Sequence, residues 1–387
     1  MHRDVYRVVD VIVEIDVRYE YMRGDIVRTS NECRKLQGEW NALLAKSRTA
    51  SLFMTWEWLD AWLKVQDACA SLFVICIRSS TGELVGVAPY YASDYALLDV
   101  FPYRVLRIAG DIDSGAEYQT WIADRADEAR VLGAIAGTLR EHCSEWDLIW
   151  MPKLNAWSGA NEPIVEALRA RGFALNRRPA LFSAISLPGE FDSYLAHMSA
   201  NRRQQVRRTM RKILSRSGVE IRKVISMQEL APALESLFSL HNKRWRSIGQ
   251  DGVFLRNPRE KAFYEHFAPH ALQQGWLALY MLLDDGEPKA VQIGYVYNGA
   301  LVQLQEGFDP DYSPHVGNVL RASVIEDCIR NGVCEYDFLG GMSEHKRRWL
   351  AEKRIGMDLL VSGPHLKNIL IMKAGIWPTG RYLQPRA

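Results

Sequence analysis

Two carboxylates, a tyrosine and a glycine-bearing loop are the places where this sequence could do chemistry. Glu306 closes the apolar run Leu301-Val302-Gln303-Leu304, where a carboxylate could take a proton from a nucleophile directly or through water. Asp337 lies among Tyr336, Phe338 and Leu339, an apolar setting in which a carboxylate is costly unless it is paired. Lys346 and Arg347 are its expected partners. Tyr295 could return a proton to a leaving group. Between the carboxylates runs Ser313-Pro314-His315-Val316-Gly317-Asn318, followed by apolar residues at helical spacing. A helix N-terminus there has unsatisfied N–H groups that can hold phosphate, and Gly317 would let the anion approach the backbone. Each feature also has an ordinary reading: a solvated strand-end acid, a structural ion pair, a packed tyrosine and a plain crossover loop.

The elements that must position these groups follow from the pattern. The stretch Ala300 to Trp349 reads as strand, loop, a helix from Asn318, a stop at Asn331-Gly332, and a strand from Val333 to Leu339. Strands joined through a helix are expected to be parallel. Upstream, strands at Trp276 to Leu283 and Ala290 to Tyr297 flank an Asp285-Gly286 turn, after helices at Met227 to Ile248 and Pro258 to Gln274. The first part of the chain repeats this plan. Thr55 is placed to cap an aromatic-rich helix, strands Ser71 to Arg78 and Leu84 to Tyr91 form a hairpin, and the strand from Trp146 carries Asp147 as the later one carries Asp337. Two short strands, Phe173 to Arg177 and Phe182 to Leu187, lead to the middle.

There the run Asn201 to Lys212 holds six basic residues around the apolar stripe Val206, Met210, Ile213 and Leu214. A solvated amphipathic helix is the leading expectation, with an anionic substrate or a donor's phosphates second. Nucleic acid is third, because the net charge is only +2.

A length of 387 residues predicts two domains, and 48% hydrophobic with 24% charged residues is a globular composition. Six cysteines without a CxxC pair are expected as reduced thiols, and no metal is called for. No apolar run is long enough for a membrane span, and a cytoplasmic protein is expected. The boundaries read as an extension over 1–28, a first lobe over 29–187, and a second lobe over 188–387 with the basic helix and the loop.

One set of residues in order resembles the acetyltransferases associated with cellulose and exopolysaccharide biosynthesis, the CelD type within the GNAT superfamily. The set is Phe53 with Trp56 and Trp58, Arg244-Trp245, the Gly-Glu hairpin, Gly307-Phe308-Asp309-Pro310, Ser313-Pro314, Gly317, Leu320, Asp337 to Gly341, and Lys346 with Trp349. The resemblance spans about Thr29 to Val361 and is strongest from Leu230. It implies an α/β fold with a mixed sheet, built as two GNAT-like lobes in tandem and similar to Fem-type transferases. It also implies an acetyl or longer acyl group moved from acyl-CoA to an amine or hydroxyl of a small molecule or saccharide. Ser313, His315, Val316, Gly317 and Asn318 would then cradle the CoA pyrophosphate, Glu306, Asp337 and Tyr295 would do acid and base work, and Arg244, Trp245 and Lys346 would face the acceptor. The loop departs from the usual GNAT pattern, with one glycine in place of two and Pro314 set back from it. No Ser/His/Asp or Cys/His constellation stands out, so no covalent acyl-enzyme is expected. The alternatives are a Fem-like aminoacyltransferase fed by aminoacyl-tRNA, which would use the basic helix, and a non-catalytic scaffold with the same fold.

Overall fold

The computed structural model describes residues 22–66, 71–379 and 382–386. Of the N-terminal extension expected over 1–28, residues 1–21 lie outside them. The first half runs β1 (Arg23–Val27), α1 (Ser30–Arg34), α2 (Gln37–Lys46), α3 (Trp56–Val65), β2 (Ser71–Arg78), β3 (Leu84–Leu97), β4 (Phe101–Ile108) and β5 (Ile122–Ala123). It continues with α4 (Glu128–Glu141), β6 (Leu148–Leu154), α5 (Glu162–Ala170) and β7 (Ala174–Ser186). The second half opens with α6 (Phe191–Ala196), α7 (Ala200–Leu214), β8 (Val219–Lys223), α8 (Met227–Arg246), α9 (Val253–Arg256) and α10 (Pro258–Gln273). It then runs β9 (Leu277–Asp284), β10 (Glu287–Tyr297), β11 (Ala300–Phe308), α11 (Val316–Arg330) and β12 (Glu335–Gly340). Last come α12 (Glu344–Arg347), β13 (Glu352–Ser362), α13 (Leu366–Ala374) and β14 (Leu383–Pro385).

Local chemistry sets these elements. Thr55 accepts from the Trp58 N–H and starts α3, as its sequence predicts. Ser199 does the same for α7 by accepting from Arg202 N, so the basic helix starts at Ala200, after the separate short helix α6. β7 is one thirteen-residue strand where two short ones were expected. Pro179 does not break it, because β12 runs beside β7 only between Phe182 and Ser186. At Pro179 one side of the strand is free of a ladder, the setting in which proline is tolerated.

Most strands form one sheet in the order β1-β2-β3-β4-β6-β13-β7-β12-β11-β10-β9-β8. The two ends mirror each other. β2 and β3 form a hairpin and β4 lies parallel to β6; β9 and β10 form a hairpin and β11 lies parallel to β12. At the centre the halves exchange their closing strands, with β7 against β12 of the second half and β13 against β6 of the first. Among the described residues four apolar clusters cover the sheet; one lies around Ile371 of α13 and Leu383 of β14, and three hold the main helices. Of these three, one, holding α3, α8 and α10, runs through both halves and is joined where Trp58 packs on Phe263 and Phe267. The other two lie on the opposite face, around α4 and α5 in the first half and around α6, α7 and α11 in the second. No helix among the described residues is long and apolar enough to cross a membrane.

Candidate active site

β11 and β12 are in parallel register only from Ala300 to Val302. Beyond that no ladder joins them: Asp337 is the last residue in register, opposite Val302, and Glu306 lies on the stretch of β11 past it. A β-bulge shapes β11: Ile293 pairs with Gln305 but Gly294 pairs with Gln303, leaving Leu304 as the extra residue. Gly294 fits there because a Cβ would strike the Val302 carbonyl. The bulge reverses which side chains face which layer. Gln305 reaches Glu260 on α10, Gly307 lies close against the backbone of α8, and Glu306 turns to α11. Plain alternation would have sent Glu306 the other way.

Glu306 is gripped by two arginines: Arg244 of α8 at 2.9 Å, and Arg321 of α11, which is only 3% exposed. Burial pushes its carboxyl up, but Arg321 and Arg244 outweigh that and hold it below the usual range. Arg321 also contacts His345, whose imidazole is pushed down to about 4 by burial and then by Arg321, so the ring is neutral at pH 7.

Asp337 takes a different partner from the one expected. Its oxygens accept from Tyr118 Oη at 3.0 and 3.2 Å and from Leu339 N at 2.7 Å. Lys346 instead places its ammonium on the carbonyls of Phe338, Gly340 and Gly341 at 3.0, 2.6 and 3.1 Å, while Arg347 pairs with Glu344. The lysine therefore fixes the backbone turn beyond β12, and among the described residues Asp337 has no salt bridge. Burial pushes the Asp337 carboxyl up to about 7 against the two hydrogen bonds. Tyr295 packs on Phe267 in the α10 layer, with its hydroxyl unpartnered and its pKa raised by burial. That is the face away from α11, and the structure does not bring it to the loop.

The loop residues do converge. α11 begins at Val316, two residues before the expected start, with His315 at its N-cap and no side chain capping it. Gly317 lies inside the first turn, where a Cβ would come within 2.9 Å of the Phe308 ring, so the glycine makes room for that ring. Before this open N-terminus lies a cleft of about 640 Å³ lined by Ser199, Arg202 and Arg208 of the α7 region, His315 and Asn318 of the loop, and Arg347 and Arg348 beyond β12. Among the described residues no carboxylate pairs with Arg202 or Arg208. Burial and then Arg348 beside it lower the Arg202 pKa, the mark of like charges held together. The loop and the basic helix, separate signals in the sequence, thus line one cleft. Arg244 and Trp245 are not among its lining residues; Arg244 is engaged with Glu306 and stacks near Trp245 and Phe308.

Sequence reasoning missed Arg321, whose signal was a charge within the apolar pattern of α11. It also missed Tyr118 and Glu117, in the irregular stretch after β4, where nothing local marks them.

The fold has known counterparts. Residues 200–347 match the model of an acetyltransferase (GNAT) domain. FemX is similar in structure, with a TM-score of 0.59 and 12% identity over 84% of this chain and 95% of that one. So is the C-terminal domain of a putative lysylphosphatidylglycerol synthetase from Agrobacterium fabrum, with a TM-score of 0.51 and 10% identity over 89% and 96%. A conserved protein of unknown function from Bacteroides thetaiotaomicron gives 0.52 and 13% over 84% and 97%. No curated protein matches. At these identities the structures speak for the fold: mixed α/β, with two GNAT-like halves in tandem.

Proposed function

We propose that the protein is an acyltransferase that takes its acyl group from acetyl-CoA or a longer acyl-CoA bound in the α11 cleft. The carrying observation is the placement of Arg202, Arg208, Arg347 and Arg348 around the uncapped α11 N-terminus. A helix N-terminus beside four arginines, of which Arg347 and Arg348 share Glu344 and Arg202 and Arg208 have no carboxylate partner among the described residues, suits the phosphates of CoA. Of the residues expected in the cradle, His315 and Asn318 line the cleft; Ser313 accepts from His315 N, Val316 is buried in the apolar layer, and Gly317 acts through Phe308. The acceptor X–H attacks the thioester carbonyl, the X–C bond forms, the C–S bond breaks, and the proton from X ends on the CoA sulfur. Asp337 with Tyr118 is the base we assign, because a carboxyl near 7 can accept a proton at neutral pH. Glu306 is assigned to positioning, as the anion that ties α8 and α11 to β11. The residue set shared with the CelD type supports a saccharide or other small acceptor, in the cytoplasm.

Calorimetric titration of acetyl-CoA tests this. Wild type should bind, and Arg202→Glu/Arg208→Glu should not while keeping its circular dichroism. A well-folded wild type that binds no acyl-CoA but whose cleft is occupied by aminoacyl-tRNA would move the donor to tRNA, a reading favoured by the exposed arginines of α7. Binding of neither would leave the fold as a scaffold.

A further inference from the structure

Seven of the fifteen large apolar side chains that stand exposed among the described residues gather on one surface, so they form a patch and not the usual scatter. Leu98, Val100 and Phe101 make the tip of the β3–β4 hairpin, Leu366, Ile369 and Leu370 stand on α13, and Tyr382 precedes β14. Hydrogen bonds join the three pieces. Leu98 N donates to the Tyr382 carbonyl, Arg386 to the Val100 carbonyl and Lys367 to the Pro102 carbonyl, while Tyr103 Oη donates to Lys367 O. On α13 Asn368 and Ile371 are buried against the sheet, and Leu366, Ile369 and Leu370 recur at spacings of three and four on the outside. Leu366 is 85% exposed. At the hairpin tip Leu98 and Asp99 have left-handed backbone, at φ +53° and +58°, where Asn and Gly are the usual residues. Leu98 takes that conformation while 57% exposed, so packing in the core does not account for it.

The charge around the patch is one-sided. From Leu359 to Ala387 the chain holds no Asp or Glu but four basic residues, Lys367, Lys373, Arg381 and Arg386. The acids nearby are Asp147, paired with Lys367 at 2.8 Å, Asp94, opposite Arg104 in the β3–β4 ladder, and Asp99 at the tip. Exposed Lys373 and Arg386, which have no carboxylate partner among the described residues, therefore stand against Asp99 alone. An isologous contact between two copies would set these cations against their own kind, whereas an anionic bilayer complements both the apolar face and its basic rim. At nine residues α13 is too short to span a membrane and suits the plane of its surface. Beneath α13 the cluster of Val105, Leu148 and Leu360 alternates along the strands with Leu106, Ile149 and Leu359, which face α4 and α5. The patch thus lies across the sheet from the arginine cleft, and covering it leaves the cleft's side free.

We infer that α13 and the β3–β4 tip form a contact surface for membranes rich in anionic phospholipid. Leu366, Ile369, Leu370 and Phe101 enter the boundary between headgroups and acyl chains, and Lys373 and Arg386 meet the lipid phosphates. This does not depend on the acyltransferase reading. The test is cosedimentation of the full-length protein with vesicles of phosphatidylcholine, alone or mixed with phosphatidylglycerol. Wild type should bind the mixed vesicles at least tenfold more tightly than the neutral ones, and less tightly as salt rises. Leu366→Asp/Leu370→Asp should lose at least tenfold of that affinity while keeping its melting curve and its acetyl-CoA binding, since both side chains are exposed. Lys373→Gln/Arg386→Gln should lose about twenty-five-fold, at about fivefold per charge. Ile225→Asp, as exposed but beside β8 at the far edge of the sheet, should change it less than about twofold. Absence of binding to the mixed vesicles, or equal binding to neutral ones, would overturn the inference. So would binding that survives Leu366→Asp/Leu370→Asp but is lost in Arg202→Glu/Arg208→Glu, which would move the contact to the arginine cleft. A wild type that ignores vesicles and forms a dimer that Leu366→Asp/Leu370→Asp dissolves would give the patch to a second copy.

Discussion

The helix that follows the parallel strand in each half begins very differently. In the second half α11 starts after a short loop, 309–315, with no acid in its first turn and arginines gathered before it. In the first half the corresponding α4 starts after a long connection, 109–127, with Asp127 at its N-cap and Glu128 in its first turn, the latter paired with Arg48. One dipole end is open to an outside anion and the other is already answered by the chain's own acids. The same topology therefore serves two purposes, and the long first-half connection carries Glu117, Tyr118 and Gln119 to the centre.

That contrast can be broken or sharpened by experiment. The largest effect is expected from Arg321→Met, which leaves Glu306 buried against one arginine. It should cost about 3–5 kcal/mol of stability in urea unfolding, as removal of one member of a buried pair does. Next, Arg202→Glu/Arg208→Glu should lower acyl-CoA affinity at least a hundredfold, with the wild-type affinity itself falling as salt rises. Asp337 gives a pH test in two forms. Burial raises its folded pKa to about 7 from the ordinary 3.8 of an aspartate, so the folded state holds more protons between those values. Its contribution to stability is therefore lost as pH climbs through that window, by an amount on the order of 2–4 kcal/mol. Asp337→Asn should flatten that decline in unfolding experiments and should also abolish the rise of rate with pH up to about 7. The smallest effect is the most direct test of the contrast. Asn318→Asp would give α11 an acid like that of α4, and should weaken acyl-CoA binding about fivefold to tenfold, whereas Glu128→Gln should leave it unchanged.

Much of the frame was legible in the sequence because it rests on local signals. Thr55 capping, the two hairpins, the β11-α11-β12 crossover and the repeat all follow from spacing and turn chemistry. The site was legible only in part. His315 and Asn318 could be placed by their loop, and the α7 arginines by their helix, but nothing local said that they share a cleft. Glu306 was visible as a carboxylate and not as the partner of Arg321, since its direction depends on the bulge at Leu304. Asp337 was rightly marked as needing a partner. The partner, Tyr118, is 219 residues away in the chain, and a choice among nearby cations could not find it.

The exchange of β7 and β13 has a consequence for how the chain is made. During synthesis the N-terminal half emerges first, as nascent domains usually do, and would ordinarily close its sheet before the rest appears. Here β6 must wait for β13, Glu352–Ser362, which follows all of β8 to β12 in the chain. Until then the ribosome carries a half with an open β6 edge and with β7 still lacking both of its neighbours. Completion of the first half thus waits on synthesis of the second.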